Sequence, residues 1–461
     1  MVFSSLLFLF VFLPIFLLVY FAVPNKFRNT VLFVFSLLFY AWGEPIYVGI
    51  MLFSTFFDYM MGLIIDKYRE SNKIPKIAMI TSVVVNLGML CFFKYSGFFV
   101  ENLNNIFNLN VNVLKIALPI GISFYTFQTM SYTIDLYRGK IGVQKNIISF
   151  GAYVAMFPQL IAGPIVTYSH VEKEINNREE SINNFGIGVA RFVEGLGKKV
   201  LIANNIGMLW DNISTMSLNE SSVLLHWLGM IAFGLQLYFD FSGYSDMAIG
   251  LGRMMGFTFP KNFNYPYISK SVTEFWRRWH ITLGSWFREY VYIPLGGNRV
   301  SRKRLYFNIF VVWFLTGFWH GAGWNFIAWG LFFGILMIIE KTFLLKILEK
   351  VPSLVARIYL IVMILISWTF FSLNSFGDAI VYLKNMFGFG KIPLIDNNTL
   401  YLVSNYWMFI LMGLIFATPL MNKLKNKING YFVYAFYVGV LIISTAYLVD
   451  STFNPFLYFR F

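Results

Sequence analysis

Charge is scarce in this sequence. Only 13% of its 461 residues are Asp, Glu, Lys or Arg, where a soluble globular protein carries roughly 25%. A water-facing exterior for a chain of this length is therefore excluded, while a lipid-facing one is not. Cysteine is almost absent. Cys91 stands alone, which excludes an intramolecular disulfide, a cysteine zinc cluster and an iron–sulfur centre. No basic block is long enough to suggest nucleic acid, although 36 basic residues exceed 22 acidic ones, a net +14. In a membrane protein that excess belongs in cytoplasmic loops. There is no H-E-x-x-H, no E-x-x-H pair and no G-x-S-x-G elbow, and no metal site is expected. No repeat and no low-complexity linker divides the chain, so residues 1–461 read as a single membrane domain.

Apolar surface is what the chain has in abundance: 58% of residues are hydrophobic, 20% are aromatic, and the mean hydropathy is +0.64. The first apolar run, 2–23, carries no charge, and its basic neighbours Lys26 and Arg28 follow it. A secretory signal has its basic segment in front, so this run is expected to be a retained span with its N-terminus outside the cytoplasm. Further apolar segments lie at 31–40, 46–65, 77–93, 114–134, 148–165, 223–239, 310–318, 326–339, 358–371, 400–417 and 431–449. Several are shorter than the roughly 20 residues a span needs. The expected fold is an all-α polytopic membrane protein of roughly 10–13 membrane helices, with broken or re-entrant segments around a central tunnel. Lys67, Arg69, Lys73 and Lys76 mark one cytoplasmic loop, and Lys423, Lys425 and Lys427 another. The densest basic stretch, 270–304, is placed at the same face.

Residues 271–290, SVTEFWRRWHITLGSWFREY, space their apolar side chains as a helix does. Ser271 and Glu274 make a capping box at its start, and Arg277, Arg278 and Arg288 fall on other faces. This predicts one amphipathic helix at the cytoplasmic interface. His280 lies at the edge of the apolar stripe, either as a bystander on a Trp-anchored surface helix or facing a cavity. His320 is set in Phe318-Trp319-His320-Gly321-Ala322-Gly323-Trp324-Asn325. Its small neighbours allow close approach of backbone or ligand, and an ionisable group among apolar runs is a functional candidate. A histidine satisfied by a nearby carbonyl is the alternative. His170 and His226, the remaining two of four, sit in a polar loop and at a helix start, and read as structural or solvated.

Asp240 and Asp246 occur in QLYFDFSGYSD, residues 236–246, with Gln236 and Asp240 on one helical face and a possible break at Ser242 and Gly243. Such carboxylates either line a cavity or pair with a base, Arg253 being the nearby choice. The segment FPQLIAGPI, 157–165, is punctuated by Pro158, Gly163 and Pro164. Broken backbone at membrane depth must be covered by protein or line a cavity. Gln159 and Pro164 are therefore candidates for a tunnel wall.

Taken together, these segments resemble the membrane-bound O-acyltransferase family, and most of all its bacterial branch typified by the membrane subunit of alginate O-acetylation. The likeness is carried by FPQLIAGPI, by the run 239–299 that includes FDFSGYSD, PKNFNYPY and FWRRWHITLGSWFREYVYIPLGGNR, by FWHGAGWNFIAW at 318–329, and by NPFLYFRF at 454–461. The resemblance places the family's buried active-site histidine on His320 and its second histidine on His280. Asp240, Asp246, Gln159, Pro164, Trp319 and Asn325 then become tunnel or supporting residues. The sequence departs from the family pattern at Gly284, Glu289 and Ser372.

The resemblance implies acyl transfer. An acetyl thioester, most simply acetyl-CoA, would approach from the cytoplasm as substrate, with no cofactor bound. The acetyl group would cross within the protein to an exported or membrane-tethered SGNH-type acetyltransferase that modifies a cell-surface polysaccharide. The implied site is the bacterial inner membrane. Arg277, Arg278, Arg288 and Arg299 are candidates for the CoA phosphates, against ordinary positive-inside topology. D-alanyl transfer to teichoic acid is a more distant likeness. Rival readings are a polysaccharide or lipid transporter built on Asp240, Asp246 and Glu194, and a non-enzymatic scaffold.

Overall fold

The computed structural model describes residues 1–114, 116–161, 163–217, 221–425, 427, 430–450, 454 and 457. Helix is the only regular structure among the described residues. That is what hydrocarbon requires, because each backbone N–H and C=O must find its partner within its own segment. Six helices are long and apolar enough to cross a membrane. The other apolar runs form shorter helices, so the fold is all-α and polytopic.

The chain divides into two compact units, Met1–Val193 with Tyr244–Pro260, and Glu194–Gly243 with Lys261–Phe461. The first holds α1 (Leu13–Ala22), α2 (Arg28–Ala41), α3 (Val48–Lys67), α4 (Ile74–Phe107), α5 (Ile122–Tyr137), α6 (Ile147–Ala155), α7 (Phe157–Leu160), α8 (Tyr168–Asn176) and most of α9 (Ile182–Gly197). Helices α3, α4 and α5 pack around a buried polar cluster. Asp58 accepts hydrogen bonds from Ser82 Oγ at 2.6 Å and from Asn86 Nδ2 at 2.8 Å. Asn86 Oδ1 in turn accepts from the hydroxyls of Ser54 and Thr129, both at 3.1 Å. A carboxyl taken out of water is costly, and these groups replace the water it lost.

The 157–165 segment is broken as its prolines predict. Helix α6 stops at Ala155 and α7 is a single turn with proline in its first positions. Phe157 lies among Phe3, Phe8, Phe12, Phe16 and Phe39, at centroid distances from 5.1 to 6.3 Å. Gly163 is required by crowding: a Cβ there would sit 2.6 Å from Gln159 Cα and 2.7 Å from the Pro158 carbonyl.

The second unit holds α10 (Asn204–Ser214), α11 (Val223–Met254), α12 (Val272–Trp276), α13 (Ile281–Phe287), α14 (Arg302–His320), α15 (Trp324–Ile339), α16 (Leu345–Leu348), α17 (Ser353–Ser372), α18 (Phe376–Met386), α19 (Asn397–Phe416), α20 (Leu420–Lys425) and α21 (Gly430–Asp450). Helix α11 passes its last residues, from Tyr244, to the first unit. The break expected at Ser242 and Gly243 does not occur, since α11 runs through both. Gly243 instead admits close backbone approach: a Cβ would lie 2.8 Å from the Gly195 carbonyl oxygen. Helices α14 and α15 form a hairpin about Gly321–Gly323. They approach closely at Gly317 and Gly330, where a Cβ on either would meet a carbonyl oxygen of the other helix at 2.4 Å. Small residues let membrane helices touch through their backbones. Of the C-terminal motif 454–461, only Asn454 and Leu457 fall within the described residues.

Candidate active site

The helix expected over 271–290 is two helices, α12 and α13, with His280 between them. His280 has φ 45° and ψ 53°, a left-handed conformation rare outside glycine. The apolar stripe is real, for Val272, Phe275, Trp279, Leu283, Trp286 and Phe287 are all buried. The helix breaks because residues from an earlier segment take its amides. Ile281 N donates to the Asn262 carbonyl at 2.9 Å, Thr282 N donates to Asn262 Oδ1 at 3.2 Å, and Asn264 N pairs with the Arg278 carbonyl at 2.9 Å. Periodicity cannot reveal a competitor for backbone hydrogen bonds that lies elsewhere in the chain.

The N-terminus of α12 is capped twice. Ser271 Oγ accepts from Glu274 N at 3.0 Å, as the capping box predicts, although Glu274 returns to Lys270 N, at 2.8 Å, rather than to Ser271. Glu340, 1% exposed, supplies the other cap, which the sequence reading missed. It accepts from Val272 N at 2.7 Å, from Thr273 N at 2.8 Å and from the Thr273 hydroxyl at 2.6 Å. A carboxylate at a helix start meets both orphan amides and the positive end of the helix dipole.

His320 is the last residue of α14. Gly321 turns to extended backbone and ends the helix there. The imidazole is buried and meets three rings edge to face: Trp319 at 4.9 Å, Trp329 at 4.9 Å and Phe371 at 5.3 Å. Trp319 also lies 6.4 Å from the ring of His280, so both histidines are in ring contact with the same indole. His280 packs on Phe241 at 4.7 Å and on Phe263 at 6.4 Å. Its Nδ1 is 3.1 Å from Asn262 Oδ1. His280 lies outside the six spans, and burial pushes its imidazole down to about 3, so it is neutral near pH 7.

Two buried imidazoles set among aromatic rings are groups of the kind that general acid–base chemistry uses. Of the supporting candidates, Trp319 joins this site directly. Asn325 holds the end of α17, its Nδ2 donating to the carbonyls of Phe370 at 3.2 Å and Leu373 at 3.1 Å. Asp240 belongs to the same unit and pairs with Lys199. Gln159, Pro164 and Asp246 belong to the first unit. Gln159 donates to the Tyr153 carbonyl at 2.6 Å, and Pro164 is buried. Asp246 pairs with Arg191 at 3.0 Å, not with Arg253, which donates to the Thr258 hydroxyl. Arg278 is engaged by Glu274 at 2.9 Å and by the Asn264 carbonyl, while Arg277, Arg288 and Arg299 are exposed. His226 shares hydrogen bonds with Ser222 and Asn385, and His170 with Thr167, in keeping with structural roles.

An all-α membrane protein whose second unit buries His280 and His320, each in ring contact with Trp319, is the class that fold and site define. The chain belongs to the MBOAT, membrane-bound O-acyltransferase, family, whose sequence profile matches residues 113–376. It is 38% identical over 501 residues to the "Probable alginate O-acetylase AlgI" of Azotobacter vinelandii, covering 100% of both chains. Against the protein of the same name from Pseudomonas aeruginosa it is 43% identical, covering 86% of this chain and 77% of that one. It is 35% identical to the "Peptidoglycan O-acetyltransferase" of Helicobacter pylori, covering 86% and 81%. The protein is thus a multi-pass membrane O-acyltransferase.

Proposed function

We propose that this enzyme takes an acetyl group from a cytoplasmic thioester, acetyl-CoA, and relays it across the bacterial inner membrane for O-acetylation of an extracytoplasmic polysaccharide. The observation that carries the reading is the pair of buried imidazoles, His280 and His320, both in ring contact with Trp319. The relatives named for alginate and peptidoglycan acetylation support an acetyl group and a cell-surface glycan acceptor. An exported SGNH-type acetyltransferase completes the transfer outside.

In this mechanism His320 is the general base. The acceptor hydroxyl attacks the thioester carbonyl as its proton passes to the imidazole. The carbon–sulfur bond then breaks, and the proton returns to the departing thiolate. His320 suits the role by position, because the C-terminal end of a helix stabilises the imidazolium formed in between. The aromatic surround raises the worth of each polar contact to the developing oxyanion. His280 faces the donor side, and the exposed Arg277, Arg288 and Arg299 bind CoA phosphates.

The test uses the purified protein in vesicles with labelled acetyl-CoA on the cytoplasmic side and an SGNH-type partner outside. Label is expected on the partner. Equal labelling without the protein, or labelling only from a different donor, would refute the relay.

A further inference from the structure

We propose that Asn262 is a positioning residue for His280: it fixes the imidazole in the Nδ1–H tautomer, so that Nε2 carries the lone pair and His280 serves the transfer as an acceptor. The inference rests on the reading above that His280 belongs to the acyl-transfer site. It starts from the Asn262 amide, whose orientation is decided by chemistry. Thr282 N, 3.2 Å away, is a backbone amide and can only donate, so the atom facing it is oxygen. The Thr282 hydroxyl donates to the same oxygen at 2.9 Å. That oxygen lies 3.1 Å from His280 Nδ1. A nitrogen facing an acceptor that already takes two hydrogen bonds must hold its proton. In a neutral imidazole the other nitrogen is then the acceptor.

The backbone agrees with the side chain. Asn262 also accepts Ile281 N on its own carbonyl at 2.9 Å, so main chain and side chain grip both sides of the turn at His280. Strained left-handed conformations persist only where the surroundings over-determine them. Capping alone does not explain the choice of residue. Asn262 is 1% exposed, and its Nδ2 has no hydrogen-bond partner among the described residues. Aspartate would cap α13 and face Nδ1 equally well without a stranded donor. It would also place a negative charge on His280 and hold a second proton on the ring. Asparagine sets the same tautomer and leaves the ring neutral.

Phe241 from α11, Phe263 and Asn262 from the preceding segment, and Trp319 from α14 all pack on His280. Arg278, two residues earlier, is turned to Glu274 and the Asn264 carbonyl. Trp319 is in turn in contact with the titratable ring of His320. Burial holds the His280 imidazole low, at about 3, so the neutral form persists well below neutral pH. A carboxylate in place of the Asn262 amide would raise that value. Activity that needs the neutral ring would then be lost as pH falls through the raised pKa.

Two measurements test this on the full chain in lipid nanodiscs. With isotope-labelled histidine there are four ring signals to follow, and His280→Asn identifies one of them by its loss. The nitrogen spectrum is expected to show that ring protonated at Nδ1 and bare at Nε2. Asn262→Leu is expected to give a mixture of tautomers. Asn262→Asp, which keeps the cap, is expected to keep Nδ1–H and to gain a second proton between about pH 8 and about pH 5. A bare Nδ1 in the native protein, or an unchanged tautomer in Asn262→Leu, overturns the proposal. In acetyl transfer from acetyl-CoA, Asn262→Asp is expected to show a new acid limb, falling about tenfold per pH unit, with rescue toward pH 8. Superimposable pH dependences overturn the role in transfer. If the native protein uses no acetyl-CoA, the donor reading fails while the spectra still decide the tautomer.

Discussion

Lys199 and Asp240 form an ion pair, Nζ to Oδ1 at 2.6 Å, with side chains only 4% and 3% exposed. Lys199 projects from a π-helical turn, Lys198–Ala203, and the second Asp240 oxygen accepts the Leu457 amide at 2.8 Å. Removing one partner of a buried pair leaves the other uncompensated, at a cost of about 3–5 kcal/mol, whereas replacing both is often neutral. Asp240→Ala is therefore expected to lower the unfolding temperature sharply in detergent. A Lys199→Met, Asp240→Leu double variant should regain most of the loss and retain acyl transfer. A stable double variant without transfer would return Asp240 to the functional residues. The other carboxylates of the transporter reading are also paired, Glu194 with Lys425 at 2.5 Å and Asp246 with Arg191.

His320→Ala is expected to reduce acetyl transfer by about 10²–10⁴, the usual range for losing a general base, with unchanged expression and unfolding temperature. Near-normal polysaccharide acetylation in a strain that makes the variant stably would remove His320 from that role.

Glu340→Ala should strand two backbone amides at the start of α12 and the Thr273 hydroxyl. Hydrogen bonds to a charged group are worth roughly 1.5–3 kcal/mol. The variant is expected to lose stability of that order and to transfer acetyl groups poorly, because α12 leads into His280. Glu340→Gln should recover part of both. Wild-type thermal unfolding in the alanine variant would show that the cap carries no weight.

Gly330→Leu is expected to force α14 and α15 apart, since even a Cβ at that position meets the Trp313 carbonyl at 2.4 Å. Overpacking costs about 1–3 kcal/mol, and transfer should fall with it because α14 carries His320. A substitution at the open position Gly88, where a Cβ meets nothing within 4 Å, should leave both unchanged. Thermal unfolding and transfer assays on the pair of variants distinguish the two sites.

Arg302→Cys in a Cys91→Ser background should react with an impermeant thiol reagent from the cytoplasmic side. Cys91 is the only native cysteine and is exposed, so the background substitution removes the competing signal. Labelling of Arg302→Cys from outside alone would reverse the topology and remove the argument for a cytoplasmic donor.

The class of the protein was legible in composition, because a surface with so little charge can only be solvated by lipid. Helical segments, the broken 157–165 stretch and the Ser271 cap followed from apolar spacing, proline and local hydrogen bonding, all of which act over a few residues. The motif histidines became candidates because an ionisable side chain in an apolar run is conspicuous. Asp58, Asn86, Lys199, Asn262 and Glu340 were not singled out, although each is buried and hydrogen-bonded or charge-paired. Buried carboxylates and lysines could have been flagged by the same rule that flagged the histidines.

What the sequence determined by itself is the all-helical membrane character and the segments that hold the candidate histidines, since both depend on residue type and short-range periodicity. Only the tertiary structure decided which groups meet. Asp246 takes Arg191, 55 residues away, over Arg253, and Asn262 reaches Thr282 across 20 residues to break a helix that periodicity drew as continuous. The reason is physical. Exclusion of water obliges each buried polar group to find a partner, but the identity of that partner is set by packing in three dimensions and leaves no periodic trace along the chain.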